Sequence, residues 1–235
     1  NHLAQSETVL HPPDRPGAAG ISFRRMNVSH PDRSTILGAA KLTGKIGGWN
    51  VGFINALTSR EYADIDLSGL RSREEVEPLS YYGIFRIQKD IDSGRHGIGL
   101  LATGVVRDLD NPALEGLLNR NAFSLAVDGW SFLDAKKDWV FGGWIGGTRI
   151  GGSSENILRI QNSSIHYYQR PDAAHVEVDP AAVSLSGWGT RVHLAKQNGR
   201  FIWLSSLGML SPGFNPNDAG YQLSLIHISE PTRPY

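Results

Sequence analysis

The sequence predicts an all-β fold, built around one antiparallel up-and-down sheet of about eight strands. Two observations predict it. Segments of about ten residues alternate bulky apolar side chains with small or polar ones, which is the period of a β-strand and not of a helix. Short turns and long connections alternate between these segments, so successive strands are expected to run antiparallel and to pair with their neighbours along the chain.

The first two strands lie between Ile36 and Thr58 and are joined by a tight turn at Gly44–Gly48. The second of them alternates most clearly. One of its faces carries Trp49, Val51, Phe53 and Leu57, and the other carries Asn50, Gly52, Ala56 and Thr58. One face of this hairpin is therefore bulky and apolar, and the other is small and polar.

Six further strands follow the same pattern. They are predicted at Pro78–Ile91, His96–Arg107, Ala122–Phe132, Trp139–Arg149, Ser184–Gln197 and Arg200–Leu210. Four long connections separate strand pairs: the highly charged Ser59–Glu77, interpreted as a solvated loop, then Asp108–Asn121, Ile150–Val183 and Ser211–Gly220. Turn parity places all four at the same end of the sheet.

The long connections contain helix signals of their own. Asp110 or Asn111 can cap a helix that has Pro112 at its first position, which predicts a short helix over Ala113–Leu118. A second short helix is expected near Glu155–Ile160, and a local strand is expected at Ile165–Gln169.

Two architectures suit a sheet with one apolar and one small polar face. A soluble sandwich buries the apolar face, whereas a membrane barrel turns it toward lipid and turns the polar face toward the lumen. Strands of about 9–11 residues, with short turns at one end and long loops at the other, favour an outer-membrane-type β-barrel, of which this sheet would be a part. The expected lipid-facing residues are Trp49, Val51, Phe53, Phe85, Phe123, Val127, Phe141 and Ile145, and the expected lumen-facing residues are Asn50, Arg86, Gln88, Ser124 and Asp128.

Composition excludes several other classes of protein. The 235 residues include no Cys, which excludes thiol catalysis, disulfides and cysteine-bound metals. Lys+Arg and Asp+Glu number 23 each, so the net charge gives no reason to expect nucleic acid as a partner. We divide the chain into an irregular lead-in (residues 1–34), a partial barrel domain (35–223) and a tail (224–235).

Both ends of the sequence suggest a fragment of a larger protein. The start, Asn1-His2-Leu3, has no initiator Met and no apolar signal region. The tail, Ser224–Tyr235, resembles the translated sequencing-adapter read-through of metagenomic assemblies and is interpreted as non-native.

Three stretches carry a family resemblance: ILGAAKLTGKIGGWNVGFINALTSRE at Ile36–Glu61, SSIHYYQRPDAAHVEVDP at Ser163–Pro180 and SPGFNPNDAGY at Ser211–Tyr221. They resemble an uncharacterised bacterial outer-membrane family, a domain of unknown function. Its full-length members carry an N-terminal carbohydrate-binding module of the family 9 type, followed by a C-terminal β-barrel. The resemblance implies an outer-membrane location and glycan contact, and it supplies no catalytic residues.

No enzyme motif is present, whether His-Glu-x-x-His, Gly-x-Ser-x-Gly or a phosphate loop. The most specific polar and aromatic cluster is formed by Tyr167, Tyr168, Arg170 and Asp172. Aromatic faces beside an Arg and an Asp suit sugar binding, and they equally suit a loop that packs on itself. These four residues are the candidate ligand site, and we expect neither a metal nor a cofactor.

We therefore expect a non-enzymatic segment of an outer-membrane β-barrel that serves glycan binding, uptake or surface display. Its expected partners are the lipid bilayer and a glycan. The alternatives are a soluble or surface glycan-active enzyme built on a β-sandwich, and a purely structural β domain.

Overall fold

The computed structural model describes residues 6–7, 26–31, 33–67, 69–169, 171 and 176–218. In chain order the strands are β1 (Ser6–Glu7), β2 (Met26–Ser29), β3 (Ile36–Ile46), β4 (Trp49–Thr58), β5 (Glu61–Leu67), β6 (Leu70–Glu77), β7 (Leu79–Ile91), β8 (His96–Asp108), β9 (Asn121–Phe132), β10 (Trp139–Gly151), β11 (Ser184–Lys196) and β12 (Trp203–Leu210). The helices are α1 (Pro112–Glu115) and α2 (Ser154–Gln161). The tail Ser224–Tyr235 lies outside the described residues, and the lead-in is described only in part, where it contains β1 and β2.

Eight strands form one antiparallel sheet in the order β3-β4-β7-β8-β9-β10-β11-β12. This confirms the predicted antiparallel sheet of about eight strands, with bounds within a few residues of those expected. The two short helices are also confirmed, and Asn111 caps α1 by accepting a hydrogen bond from the Ala113 backbone N–H. Neither described helix has the length and apolar character needed to cross a bilayer.

The edges of the sheet bear on the barrel prediction. Within the described residues, β3 pairs only with β4 and β12 pairs only with β11, so the sheet is open there. The structure thus supports an all-β antiparallel sheet, and it does not close that sheet into a barrel.

The pairing register sorts the side chains onto two faces, because residues directly opposite each other point the same way. Phe53 lies opposite Phe85, and Val127 lies opposite Ile145. All eight predicted lipid-facing residues fall on this side, which we call the apolar face. Asn50 lies opposite Gln88, and all five predicted lumen-facing residues share the other side, the polar face. The predicted sorting of these thirteen residues is confirmed.

The hydrophobic core lies on the polar face, at the end where the long loops emerge. Val105, Ala122, Ile150 and Leu185 follow one another across four strands in register and form a single buried row. Ile157 of α2 packs onto this row and is 0% exposed. Helix α2 therefore covers the polar face at the long-loop end of the sheet.

The interpretation of Ser59–Glu77 as a solvated loop is wrong, since this segment forms the hairpin β5–β6. Its charges lie opposite each other: Asp64 faces Arg73, and Asp66 faces Arg71. Opposite charges in such positions stabilise a strand pair. With β1 and β2 this hairpin forms a second, four-stranded sheet.

The local strand expected at Ile165–Gln169 is also wrong. The backbone N–H groups of His166 and Tyr167 both donate to the Ser163 carbonyl, which makes a turn instead of a ladder. Tyr167 has a φ of 48°, in the left-handed region that an extended strand does not use.

Candidate functional site

The long connections meet at one end of the large sheet, as turn parity predicts. Arg60, which follows β4, donates to Glu75 and to the carboxylates of Asp108 and Asp110 at 2.7 and 2.8 Å. The Asp108/Asp110 pair is therefore occupied by a guanidinium. Within the described part of the chain, no three His, Asp or Glu side chains are grouped to hold a metal ion.

The connection between β10 and β11 is fixed by buried amide side chains. Gln161 donates to the Asp179 carbonyl at 2.9 Å and accepts from the Asp179 N–H at 2.8 Å, as a neighbouring strand would. Asn156 donates to Asn119 at 2.8 Å and so ties α2 to the connection between β8 and β9. These hydrogen bonds hold the α2 segment in its packed position on the polar face.

The chain after β12 folds back over the same face, and we call residues 211–218 the strap. The Asn215 N–H donates to the Thr148 hydroxyl at 2.8 Å, and His166 bonds the Pro212 carbonyl at 2.8 Å. Gly187 and Gly213 permit this close approach, since a Cβ on Gly187 would collide with the Phe214 backbone. The strap therefore rests directly on β10 and β11.

A cavity of about 360 Å³ lies between the strap and the centre of the polar face. Its apolar walls come from Leu101, Ala126, Trp144, Phe214 and Pro216. The Trp144 and Phe214 rings stack with centroids 6.0 Å apart and an interplanar angle of 29°. The cavity thus has an aromatic wall that joins a strand of the sheet to the strap.

Polar groups lie at both ends of this cavity. At one end Arg86 donates to both carboxylate oxygens of Asp128, and it also donates to Gln88 at 3.1 Å. Gly99 leaves room for the guanidinium, which passes over β8 to reach β9. At the other end the hydroxyls of Ser124 and Thr148 lie on directly opposed residues.

The predicted ligand residues do not line this cavity. Arg170 and Asp172 lie outside the described residues. Tyr167 is 46% exposed, whereas Tyr168 is half-buried against the core row, where burial raises the pKa of its hydroxyl. The Tyr168 ring meets the His166 ring edge-on, with centroids 6.3 Å apart.

His166 lies between the α2 connection and the strap. Its side chain is 3% exposed, its Nδ1 bonds the Pro212 carbonyl, and its Nε2 has no partner. Burial lowers the pKa of the imidazole, and the hydrogen bond to Pro212 partly opposes that change. Burial at this position therefore favours the neutral form of the ring.

Sequence reasoning placed Ser124 and Asp128 on the correct face but did not single out Trp144 or Phe214. One signal was present for Trp144. It stands on the polar face of β10 between Gly142 and Gly146, where a bulky ring interrupts a row of small residues. A lone aromatic on a small-residue face indicates that something packs against it.

Comparison with known proteins adds one match. Residues 16–113 match the model of a family described as "Domain of unknown function (DUF5916)". That description names no activity, ligand or location. No curated protein and no solved structure matches the chain. Over β2 to α1 the sequence is therefore similar to this family of unknown function, in agreement with the resemblance noted for Ile36–Glu61.

Proposed function

We propose that the eight-stranded sheet is a wall segment of a bacterial outer-membrane β-barrel, non-enzymatic, with its long loops turned outward for glycan contact. The observation that carries the proposal is the exposed apolar face. It extends over all eight strands, from Leu42 on β3, which is 67% exposed, to Leu207 on β12. A soluble protein rarely leaves so large a contiguous apolar surface in water.

The aromatic residues of this face add support. Trp49, Trp139 and Trp203 are the first residues of β4, β10 and β12, so all three lie at the short-turn end of the sheet. The ammonium group of Lys89 lies 5.1 Å from the centre of the Trp49 ring. Tryptophan beside lysine at one level is typical of the interface between membrane and water.

The other side of the sheet suits a lumen. It carries the Arg86–Asp128 pair, and the α2 connection and the strap fill it at the long-loop end. Barrel interiors are polar and are often occupied by inserted loops. The two-sheet sandwich gains no such support, because the four-stranded sheet leaves Phe123, Phe141 and Ile145 exposed.

Two neighbouring substitutions on β3 test the membrane assignment. Leu42 lies on the apolar face and Thr43 on the polar face, and both are exposed in the chain. In a bilayer, Leu42→Arg should cost about 2–4 kcal/mol near the midplane, whereas Thr43→Arg, the matched control, should cost little. The measurement is the fraction of protein that folds into liposomes and floats with them. If both variants float like the unaltered chain, or if the unaltered chain never floats, the proposal fails.

A further inference from the structure

Arg149 is a cation on the apolar face, directly opposite Phe123, and within the described part of the chain it pairs with no carboxylate. We infer that Arg149, together with Ser184 and Ser186, binds the phosphate of a membrane lipid headgroup. The inference rests on the proposed function and deepens it, since it names the lipid group that the outer side of the wall would hold. The hydrogen bonds, the unpaired charge and the level on the sheet support it.

Arg149 and the two serines form one group of hydrogen-bond donors. Ser186 of β11 stands directly opposite Arg149 of β10. The Arg149 Nη1 donates to the Ser186 hydroxyl at 3.2 Å, and its Nη2 donates to the Ser184 hydroxyl at 3.3 Å. Each hydroxyl oxygen accepts from the guanidinium, so its own O–H remains to be donated elsewhere. Among the described residues nothing accepts from either O–H, so the group has donors that lack acceptors.

This group of donors is suited to an anion, and to phosphate in particular. A guanidinium is always charged in proteins, and its planar set of N–H groups matches two phosphate oxygens. The tetrahedral phosphate directs its oxygens in three dimensions, so it can also accept from the two Ser hydroxyls beside the guanidinium. An uncharged headgroup would leave the charge of Arg149 without a counter-charge.

The position of Arg149 along β10 matches the level of lipid headgroups. Trp139 begins the same strand at the short-turn end, and Arg149 follows it by ten positions. That separation is about 33 Å along a strand. In a strand tilted by about 40° it spans about 25 Å of membrane thickness, which is the height of the apolar band of an outer-membrane barrel. Arg149 therefore stands at the edge of that band opposite the tryptophan level.

The surroundings of Arg149 on this face suit a lipid better than a free phosphate ion. The residues of β10 that precede it on the face, from Trp139 onward, are uncharged. Phe123 and Trp188 flank the group of donors, and each is 49% exposed. Acyl chains can pack on these apolar side chains while the headgroup phosphate reaches the guanidinium. Free phosphate would gain nothing from the exposed rings.

The test uses the full chain in a nonionic detergent, titrated with each probe while native mass spectrometry measures the bound fraction. The probes are dihexanoylphosphatidylglycerol, then dihexanoylglycerol, which has the same acyl chains without a phosphate, and glycerol phosphate, which has no acyl chains. We expect the phospholipid to bind more tightly than the other two. Arg149→Gln should weaken phospholipid binding about tenfold, since it removes a charge-assisted hydrogen-bond donor.

Arg191 provides the matched control. It is an exposed arginine of the adjacent strand that also donates to a serine hydroxyl, that of Ser206, at 3.1 Å. It lies opposite Trp144 on the polar face, so Arg191→Gln should leave phospholipid binding unchanged. Arg149→Lys keeps the charge but loses the planar set of donors, so its affinity should lie between those of Arg149→Gln and the unaltered chain.

A serine variant gives a second measurement that does not alter the charge. Ser186→Ala should weaken phospholipid binding severalfold, whereas Ser206→Ala should not, and melting temperatures check that each variant is folded. The inference is overturned if phospholipid and dihexanoylglycerol bind alike, or if glycerol phosphate binds as tightly as the phospholipid. Equal losses for Arg149→Gln and Arg191→Gln would overturn it as well.

Flotation of the same preparations with liposomes keeps the two proposals apart. A chain that floats, and whose phospholipid binding does not depend on Arg149, contradicts the phosphate site and leaves the membrane assignment standing. A chain that does not float, but whose phospholipid binding is weakened by Arg149→Gln and not by Arg191→Gln, supports the phosphate site and contradicts the membrane assignment.

Discussion

His166 and Pro212 are joined by a 2.8 Å hydrogen bond between the imidazole Nδ1 and the backbone carbonyl, across 46 residues of chain. The bond links the α2 connection to the strap, so the two segments that cover the polar face are fastened to each other. Because the ring is neutral and buried, the link is sensitive to acid.

The first prediction follows from the lowered pKa of His166 in the folded state. In the unfolded chain this histidine has the ordinary pKa of about 6.5, whereas in the folded chain it binds a proton only at a lower pH. Stability from this group is therefore complete above about pH 6.5 and falls as the pH drops below that value, by at most about 1.4 kcal/mol per pH unit.

The measurement is the free energy of unfolding at a series of pH values from 7.5 down to 5, which bracket the ordinary histidine pKa of 6.5. His166→Gln keeps a donor for the Pro212 carbonyl but does not titrate in this range, so its curve should be flatter. Identical slopes for the two proteins would show that protonation of His166 is not coupled to folding.

Much of the large sheet could be predicted from the sequence, because its determinants are local. Alternation between two faces identified the strands, and the short turns between them indicated which strands are neighbours. The hairpin β5–β6 was missed because its charges indicated solvent, whereas Asp66 and Arg71 come to lie opposite each other as an ion pair only once the strands pair. A charged loop exposed to solvent and a charged β-hairpin can have the same composition, so composition alone does not separate them.

The candidate cavity was harder to predict for a related reason. Ser124 and Asp128 could be assigned to the polar face from alternation alone. The stacking of Trp144 on Phe214 joins residues 70 positions apart, and it depends on how the strap folds back after β12. No local pattern in the sequence encodes that return path.

The second prediction concerns the contact between the strap and β11. A Cβ on Gly187 would collide with the backbone of Gly213 and Phe214, which cannot yield as a side chain can. Gly187→Ala should therefore destabilise the fold by about 1–3 kcal/mol and expose the strap to proteases.

Gly208→Ala on β12 is the matched control, since its added Cβ would lie 3.5 Å from the nearest atom, an ordinary contact. The measurement is the rate of proteolytic cleavage between Ser211 and Asp218, together with the melting temperature. Equal rates for the two variants would mean that the strap does not rest on Gly187.

The third prediction concerns the ion pair between Arg107 and Asp218, whose Nη1 and Oδ1 atoms lie 2.6 Å apart. Each side chain is 11% exposed, so removing one partner leaves the charge of the other buried without its counter-charge. Asp218→Ala should lower the free energy of unfolding by about 3 kcal/mol.

The Arg120–Glu115 pair provides the comparison, because both of its side chains are well exposed at a similar 2.7 Å separation. Glu115→Ala should cost less than about 1 kcal/mol. Chemical denaturation of the two variants measures the difference, and losses of equal size would show that burial does not strengthen the Arg107–Asp218 pair.

The fourth prediction separates the two neighbouring tyrosines of the expected glycan loop. Tyr168 packs on the core row and meets His166, so Tyr168→Ala should destabilise the fold by about 2 kcal/mol whether or not a ligand binds. Tyr167 is exposed and has no aromatic neighbour among the described residues, so Tyr167→Ala should change stability by less than about 0.5 kcal/mol.

If the loop contacts a glycan by stacking, Tyr167→Ala should still lower the affinity severalfold. Denaturation curves and a saccharide-binding screen on each single variant resolve these effects. Unchanged binding by Tyr167→Ala, with the fold intact, would remove this tyrosine from the candidate site.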